Sequence, residues 1–147
     1  MINAMIDNQI LDRILPQQYP FRMIDRIEEF KKDEYLVAVK NITGNEWIYS
    51  NRQFHTDVFP ETLIIEAAAQ AALSFLNLSK EHLAKERGRF VLGKTKSEFY
   101  HSIYIGDQIN FKTGAYKFAQ NNGYIDISAF RADEKIADVT IFYSILH

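Results

Sequence analysis

The segment 63-LIIEAAAQAALSFL-76 limits what this chain can become more than any other. At helical pitch its apolar residues fall on every side, and Glu66 is its only charged residue. A helix apolar all round belongs in a core. A carboxylate taken there needs either a partner or a job, because burying an unpaired charge is expensive. Glu66, Gln70 and Ser74 stand four apart and fall along one line of the helix. That line reads as a hydrogen-bonded polar seam inside an interface, or as a carboxylate facing a ligand.

The rest of the chain must cover this helix. With 147 residues, 47% hydrophobic and 14% aromatic, there is enough apolar material for one domain, residues 1–147. Residues 6–14 read as a short amphipathic helix ended by Pro16. Residues 22–31 and 34–43 read as a strand pair joined by a KKD turn, and 46–58 as a loop. Pro60 is expected as the first helical residue, with Asp57 or Thr56 as the cap. The helix should run to about residue 78, and the polar stretch 79–89 has room for a second short one. Segments 89–95, 97–105, 108–119, 123–132 and 135–146 alternate and are rich in Ile, Val, Phe and Tyr. Gly106-Asp107, Asn121-Asn122-Gly123 and Asp133-Glu134 punctuate them as turns. Two strands, one buried helix, then successive antiparallel strands form an α+β pattern, with a sheet curled around the helix.

Charge and cysteine content narrow the function. A formal net charge of -2, with no basic stripe, gives no electrostatic basis for binding nucleic acid. The chain has no cysteine, so disulfides, thiolate metal sites and a cysteine nucleophile are excluded. That composition is compatible with a cytoplasmic protein. The N-terminal stretch MINAMIDNQILDRIL lacks a basic n-region and is broken by Asp7 and Asp12, which makes a poor signal peptide. The longest apolar run is expected to be too short and too interrupted to span a bilayer, so no membrane insertion is expected.

Four stretches carry a resemblance: 15-LPQQYPFRMIDRI-27, 41-NITGNE-46, 63-LIIEAAAQ-70 and 106-GDQ-108. Together they resemble the 3-hydroxyacyl-(acyl-carrier-protein) dehydratase family of the FabZ type. The match holds its register from Leu15 to about Leu76 and resumes at the GDQ turn. The resemblance implies a hotdog fold, a curved antiparallel sheet around one central helix. It implies a dimer whose sheets join edge to edge, with sites at the dimer interface. The family removes water from a 3-hydroxyacyl thioester on acyl carrier protein, leaving a trans-2-enoyl thioester, and needs no metal and no organic cofactor. A histidine acts on the α-proton, and a helix carboxylate from the other protomer handles the hydroxyl.

The carboxylate carries over as Glu66. The histidine motif GHFPG does not, because the ungapped register lays 51-NRQFH-55 on it and puts Arg52 where the histidine belongs. An arginine stays protonated, with a pKa above about 12, and cannot serve as the base. It could hold an anion or pair with Glu66. His55, in the same loop, is the candidate replacement base, and His82, His101 and His147 read as surface residues. The family commonly places glycine after the proline, whereas Glu61 follows Pro60 here; its backbone amide remains a candidate donor to the thioester carbonyl. Phe54, Phe59 and Phe75 are candidates to line the acyl tunnel. The candidate substrate-binding set is thus Arg52, Phe54, Phe59, Pro60, Glu61 and Gln70, with Glu66 and His55 catalytic and no metal ligand. Before the GDQ turn Lys94 and Lys96 remain, but Glu98, Tyr100 and His101 replace expected positive charges, which weakens capture of an acidic carrier protein unless Arg87, Arg89 and Lys94 compensate.

Three functions remain open at this point. One is a dehydratase using Glu66 and His55. Another is a silent acyl-thioester-binding subunit, homodimeric or paired with an active paralogue. The third is a thioesterase in which Glu66 activates water. The acyl thioester is expected on acyl carrier protein or coenzyme A.

Overall fold

A computed structural model describes residues 8–49, 57–80 and 89–146. A short helix α1 (Asn8–Ile14) precedes strands β1 (Arg26–Lys31) and β2 (Tyr35–Asn41), a 3-10 turn at Trp47–Tyr49, and the long helix α2 (Glu61–Ser79). Strands β3 (Arg89–Phe99), β4 (Gln108–Phe118), β5 (Asn122–Arg131) and β6 (Glu134–Leu146) follow. They form one antiparallel sheet in the order β1-β2-β4-β5-β6-β3. The expected α+β architecture is present, with the sheet laid around α2.

The strand alternation explains the wrap. Leu36 and Ala38 of β2, Ile109 and Phe111 of β4, Ile125 and Ile127 of β5, and Val139 and Ile141 of β6 all turn inward and are buried. They meet Ile64, Ala67, Ala68, Ala71 and Phe75 of the helix in one core. Four alanines on α2, at 67, 68, 71 and 72, let the backbone approach the sheet closely. Register shifts at Ile27/Glu29, Leu92/Lys94, Thr113/Tyr116 and Ala129/Phe130 each add local twist, and so curl the sheet. Thr113, 2% exposed, extends the β2–β4 contact by a side chain beyond the Val37–Lys112 pair: its Oγ1 accepts from the Leu36 N–H at 2.8 Å. The 19 residues of α2 are long and apolar enough to cross a membrane by length and composition, contrary to the expectation for the longest apolar run. The enclosing sheet is what accounts for that apolarity.

Several local expectations change. Segments 89–95 and 97–105 are not two strands: Arg89–Phe99 is one, because β6 offers thirteen residues to pair with and a bulge next to Gly93 absorbs the irregularity. From Tyr100 to Asp107 the chain leaves the sheet, apart from a bridge between Tyr104 and Val58. β1 starts at Arg26 rather than 22, and the Asp25 carboxylate closes its end by accepting the Asn41 N–H at 2.6 Å. Pro60 is the N-cap residue, extended at φ -61 and ψ 133, and not the first helical residue; neither it nor Asp57 supplies a side-chain cap. Thr56, the other expected cap, and most of the polar stretch 79–89 lie outside the described residues.

The motifs behind the resemblance hold the frame together. Gly106 takes φ +99, which a side chain rarely tolerates, so the turn before β4 needs glycine. Asp107 accepts from the Tyr104 N–H at 2.8 Å and from Arg131 at 2.7 Å, while Gln108 donates to Asn41 at 2.9 Å. Glu46 pairs at 3.0 Å with Lys40, which is only 3% exposed and lies over the Phe59 ring.

Candidate active site

Glu66 sits in the second turn of α2, partly exposed. Its Oε1 accepts a hydrogen bond from Gln70 Nε2 at 2.9 Å. Gln70 itself is fully buried and uses its whole amide. Nε2 also donates to the Phe21 carbonyl at 2.7 Å, and Oε1 accepts from the Met23 N–H at 2.8 Å. These partners fix which way the amide points, so Glu66 meets a donor and Oε1 stays an acceptor. One carboxylate oxygen is thus held. Ser74 completes the line by donating to the Gln70 carbonyl at 2.8 Å. The hydrogen-bonded polar line drawn by the spacing is present, and through Gln70 it orients the Glu66 carboxylate.

Glu66 opens into an apolar cleft between α2 and the β6–β3 side of the sheet, about 110 Å³ in volume. Ala69, Ala72 and Leu76 continue its helix side, and Phe90, Ile141 and Tyr143 face them. Gln17 also lines it, with its backbone carbonyl held by Arg22 Nε at 2.8 Å. Its Oε1 is buried and has no hydrogen-bond partner among the described residues. The Tyr143 hydroxyl is in the same condition, and burial raises its pKa.

Of the residues singled out from sequence that are described, Glu66 and Gln70 come together, and Glu66 alone lines the cleft. Phe59 is 1% exposed, donates its N–H to Ile103 at 2.7 Å, and lies under Lys40 in the core rather than in the cleft. Phe75 is equally buried and packs against Tyr116. Pro60 and Glu61 stand at the start of α2, where the exposed Glu61 side chain favours the positive end of the helix dipole. Gln70 is not exposed to the cleft: it positions Glu66 and ties the helix to the Phe21–Met23 segment. His55, Arg52 and Phe54 lie outside the described residues, as do His82, Arg87 and His147. His101 is exposed, 3.8 Å from Glu134. Gln17, Phe90 and Tyr143 were missed in the sequence. Inward alternation along β6, from Val139 through Ile141 to Tyr143, was the available signal for the last.

Among the described residues no group of three or more His, Asp or Glu is placed to hold a metal ion.

A helix enclosed by a curled antiparallel sheet, with an acid opening into a cleft between them, defines a hotdog-fold protein. The FabA-like domain family matches residues 15–140, and the chain belongs to that family. It is 32% identical over 130 residues to the 3-hydroxyacyl-(acyl-carrier-protein) dehydratase FabZ of Campylobacter curvus, covering 86% of this chain and 88% of that one. It is 30% identical over 143 residues to the bifunctional enzyme LpxC/FabZ of Chlorobaculum tepidum, 97% of this chain but only 30% of that protein's length. Among solved structures, the dehydratase heterocomplex ApeI:P from Xenorhabdus doucetiae superposes with a TM-score of 0.78 at 11% identity, over 93% of this chain and 91% of that one. A thioesterase from Pseudomonas aeruginosa gives 0.65 at 11% identity, over 82% and 80%. Likeness at that identity establishes the fold.

Proposed function

We propose that this protein acts in fatty-acid or related acyl-chain biosynthesis as a 3-hydroxyacyl thioester dehydratase. The observation that carries this is the Glu66 carboxylate, which is held through Oε1 by Gln70 and lines an apolar cleft. The cleft takes the acyl chain. Glu66 in its acid form gives a proton to the departing 3-hydroxyl, which leaves as water. A base removes the α-proton, and the electron pair of that C–H bond becomes the new double bond of the trans-2-enoyl thioester. His55 is our candidate base, and the Glu61 backbone N–H, just after Pro60 at the start of α2, is the candidate donor to the thioester carbonyl. Arg52 and Phe54 belong to the same loop and to the same reading. The acyl group arrives on acyl carrier protein or coenzyme A, in the cytoplasm.

A second chain completes the site in this reading. Among the described residues β3 pairs only with β6, which leaves the other edge of its eleven residues as a template for another strand. Leu92 on that strand lines the cleft and is 49% exposed. The cleft of about 110 Å³ also falls below the ~300 Å³ at which ordinary ligand pockets begin. A homodimer or a heterodimer with an active paralogue joins there. The silent-subunit reading draws on a specific observation: none of the residues lining the cleft among those described is a histidine.

The test is product analysis by mass spectrometry, with 3-hydroxyacyl thioesters of carrier protein and of coenzyme A. Wild type, His55→Ala and Glu66→Gln are run alone and mixed with a second FabA-like protein from the same source. Enoyl product from wild type, lost in both variants, supports a self-sufficient dehydratase. Product only on mixing, still dependent on Glu66, supports the composite site. A free acid as product overturns the dehydratase reading in favour of thioester hydrolysis.

A further inference from the structure

We propose that Tyr143 is the distal stop of the acyl cleft and restricts this protein to short acyl chains. The inference rests on the cleft being an acyl site, as read above.

The cleft has two distinguishable ends. The N-terminal end of α2 is anchored beside the β3–β4 connection, where the Phe59 N–H meets the Ile103 carbonyl and Val58 bridges to Tyr104. Phe90 and Tyr143 lie at the opposite end of the β3–β6 pair: Phe90 faces Ile145 and Leu92 faces Tyr143, whereas Phe99 faces Ala137. Aromatic contacts link Tyr143 to the C-terminal half of α2, since its ring stacks on Phe118 and, two residues before that, Tyr116 packs on Phe75. From Glu66 to Leu76 the cleft follows ten residues of helix, on the order of 15 Å. A chain whose reacting end is at Glu66 runs toward Tyr143.

Tyr143 is held where it would stop that chain. Its ring lies between Phe118, stacked at 5.7 Å, and Phe90, tilted at 6.0 Å. Its hydroxyl occupies space that a side chain on Gly123 would need: a Cβ there would come within 2.7 Å of the hydroxyl and 2.2 Å of the Lys117 carbonyl. The neighbouring side chains of the sheet here, Lys94, Tyr124 and Phe142, pack on its outer face, so the inward Tyr143 ring meets only Phe90 and Phe118 among the described aromatic rings. Its buried hydroxyl has no partner among the described residues, which leaves its position to ring packing.

The experiment measures binding of 3-hydroxyacyl pantetheine thioesters by calorimetry, from butyryl through hexanoyl, octanoyl and decanoyl to dodecanoyl. The pantetheine arm is common to coenzyme A and carrier protein, so the choice of carrier does not enter. Wild type, Tyr143→Leu, Tyr143→Ala and Tyr143→Phe are compared, each checked for folding by circular dichroism. Each methylene that finds apolar cover should tighten binding about fourfold. In wild type the gain should cease at octanoyl or earlier. In Tyr143→Leu and Tyr143→Ala it should continue to longer chains, raising the decanoyl-to-butyryl affinity ratio at least about tenfold. Tyr143→Phe keeps the ring and should keep the cut-off. Tyr143→Leu, the milder cavity, carries the test if Tyr143→Ala does not fold. Affinity that climbs through dodecanoyl in wild type, or a cut-off unmoved in a folded leucine or alanine variant, overturns the assignment of Tyr143. No binding by wild type at any length overturns the acyl-site reading beneath it.

Discussion

At the Glu66 end of the cleft the buried Gln70 amide has a partner for every polar atom, whereas at the Tyr143 end a buried hydroxyl has none among the described residues. The first end is fixed in direction by hydrogen bonds. The second is fixed in volume by stacked rings and a glycine. A reacting group needs the former, because a carboxylate turned away from its substrate does nothing. A wall needs only to occupy space. If this contrast is right, substitutions at the first end should change chemistry and orientation, and those at the second should change fit and packing.

The largest effect is expected at Glu66. Glu66→Gln keeps an acceptor for Gln70 but removes the acid, so the rate of enoyl formation by the active assembly should fall about 10²–10⁴-fold while thermal stability barely moves. A stable variant with an undiminished rate would end the assignment of chemistry to this end. Gln70→Leu comes next. It leaves the buried Met23 N–H and the partly buried Phe21 carbonyl without their partner, which should cost roughly 2–3 kcal/mol in urea denaturation. A cost under about 1 kcal/mol would mean that water replaces the amide. Gly123→Ala forces a Cβ against the Lys117 carbonyl and the Tyr143 ring, and should cost about 1–3 kcal/mol by the same measurement. Tyr143→Phe should go the other way and stabilise by about 1 kcal/mol, since it removes a hydroxyl that is buried and unbonded. Destabilisation instead would show that the hydroxyl has a partner after all, and would erase the contrast between the two ends.

The smallest effect lies on the outer face of the sheet, away from the cleft. Burial pushes the Asp138 carboxyl up, but hydrogen bonds from Ser128 and Tyr100 and the charge of Lys135 outweigh it and hold the pKa below its usual 3.8. A depressed carboxyl stabilises the fold above its unfolded value, and that contribution fades as pH falls through the lower folded value. Asp138→Asn should therefore flatten the acid limb of the stability curve, by less than about 1 kcal/mol because the side chain is partly exposed. Tyr100, whose pKa the bond to Asp138 raises to about 12, contributes on the opposite limb, present below pH 10 and lost as pH rises through 12. Equal acid limbs in wild type and variant would remove Asp138 from this account.

Much of this molecule was legible in one dimension. An apolar stretch with one carboxylate announced a core helix, and residues 61–79 form it. Alternation announced the strands, and the Gly106 turn falls where glycine was required. The spacing of Glu66, Gln70 and Ser74 drew the polar line, because side chains four apart on a helix share a face whatever surrounds them. What no local pattern carried was the partner of each face. Gln70 meets backbone groups 49 and 47 residues away, and only that meeting makes it a support for Glu66 rather than a lining residue. Phe59 looked like a tunnel residue by its place in the sequence, and packing put it under Lys40. Segments 89–95 and 97–105 looked like two strands, and the length of β6 made a single one of Arg89–Phe99. Tyr143 was one inward residue among several until the sheet brought Phe90, Phe118 and Gly123 around it. Periodicity records which side of an element avoids water, since that depends on neighbours a few residues away. Which groups meet there depends on strand order and register, and those are settled only when distant segments close on one another.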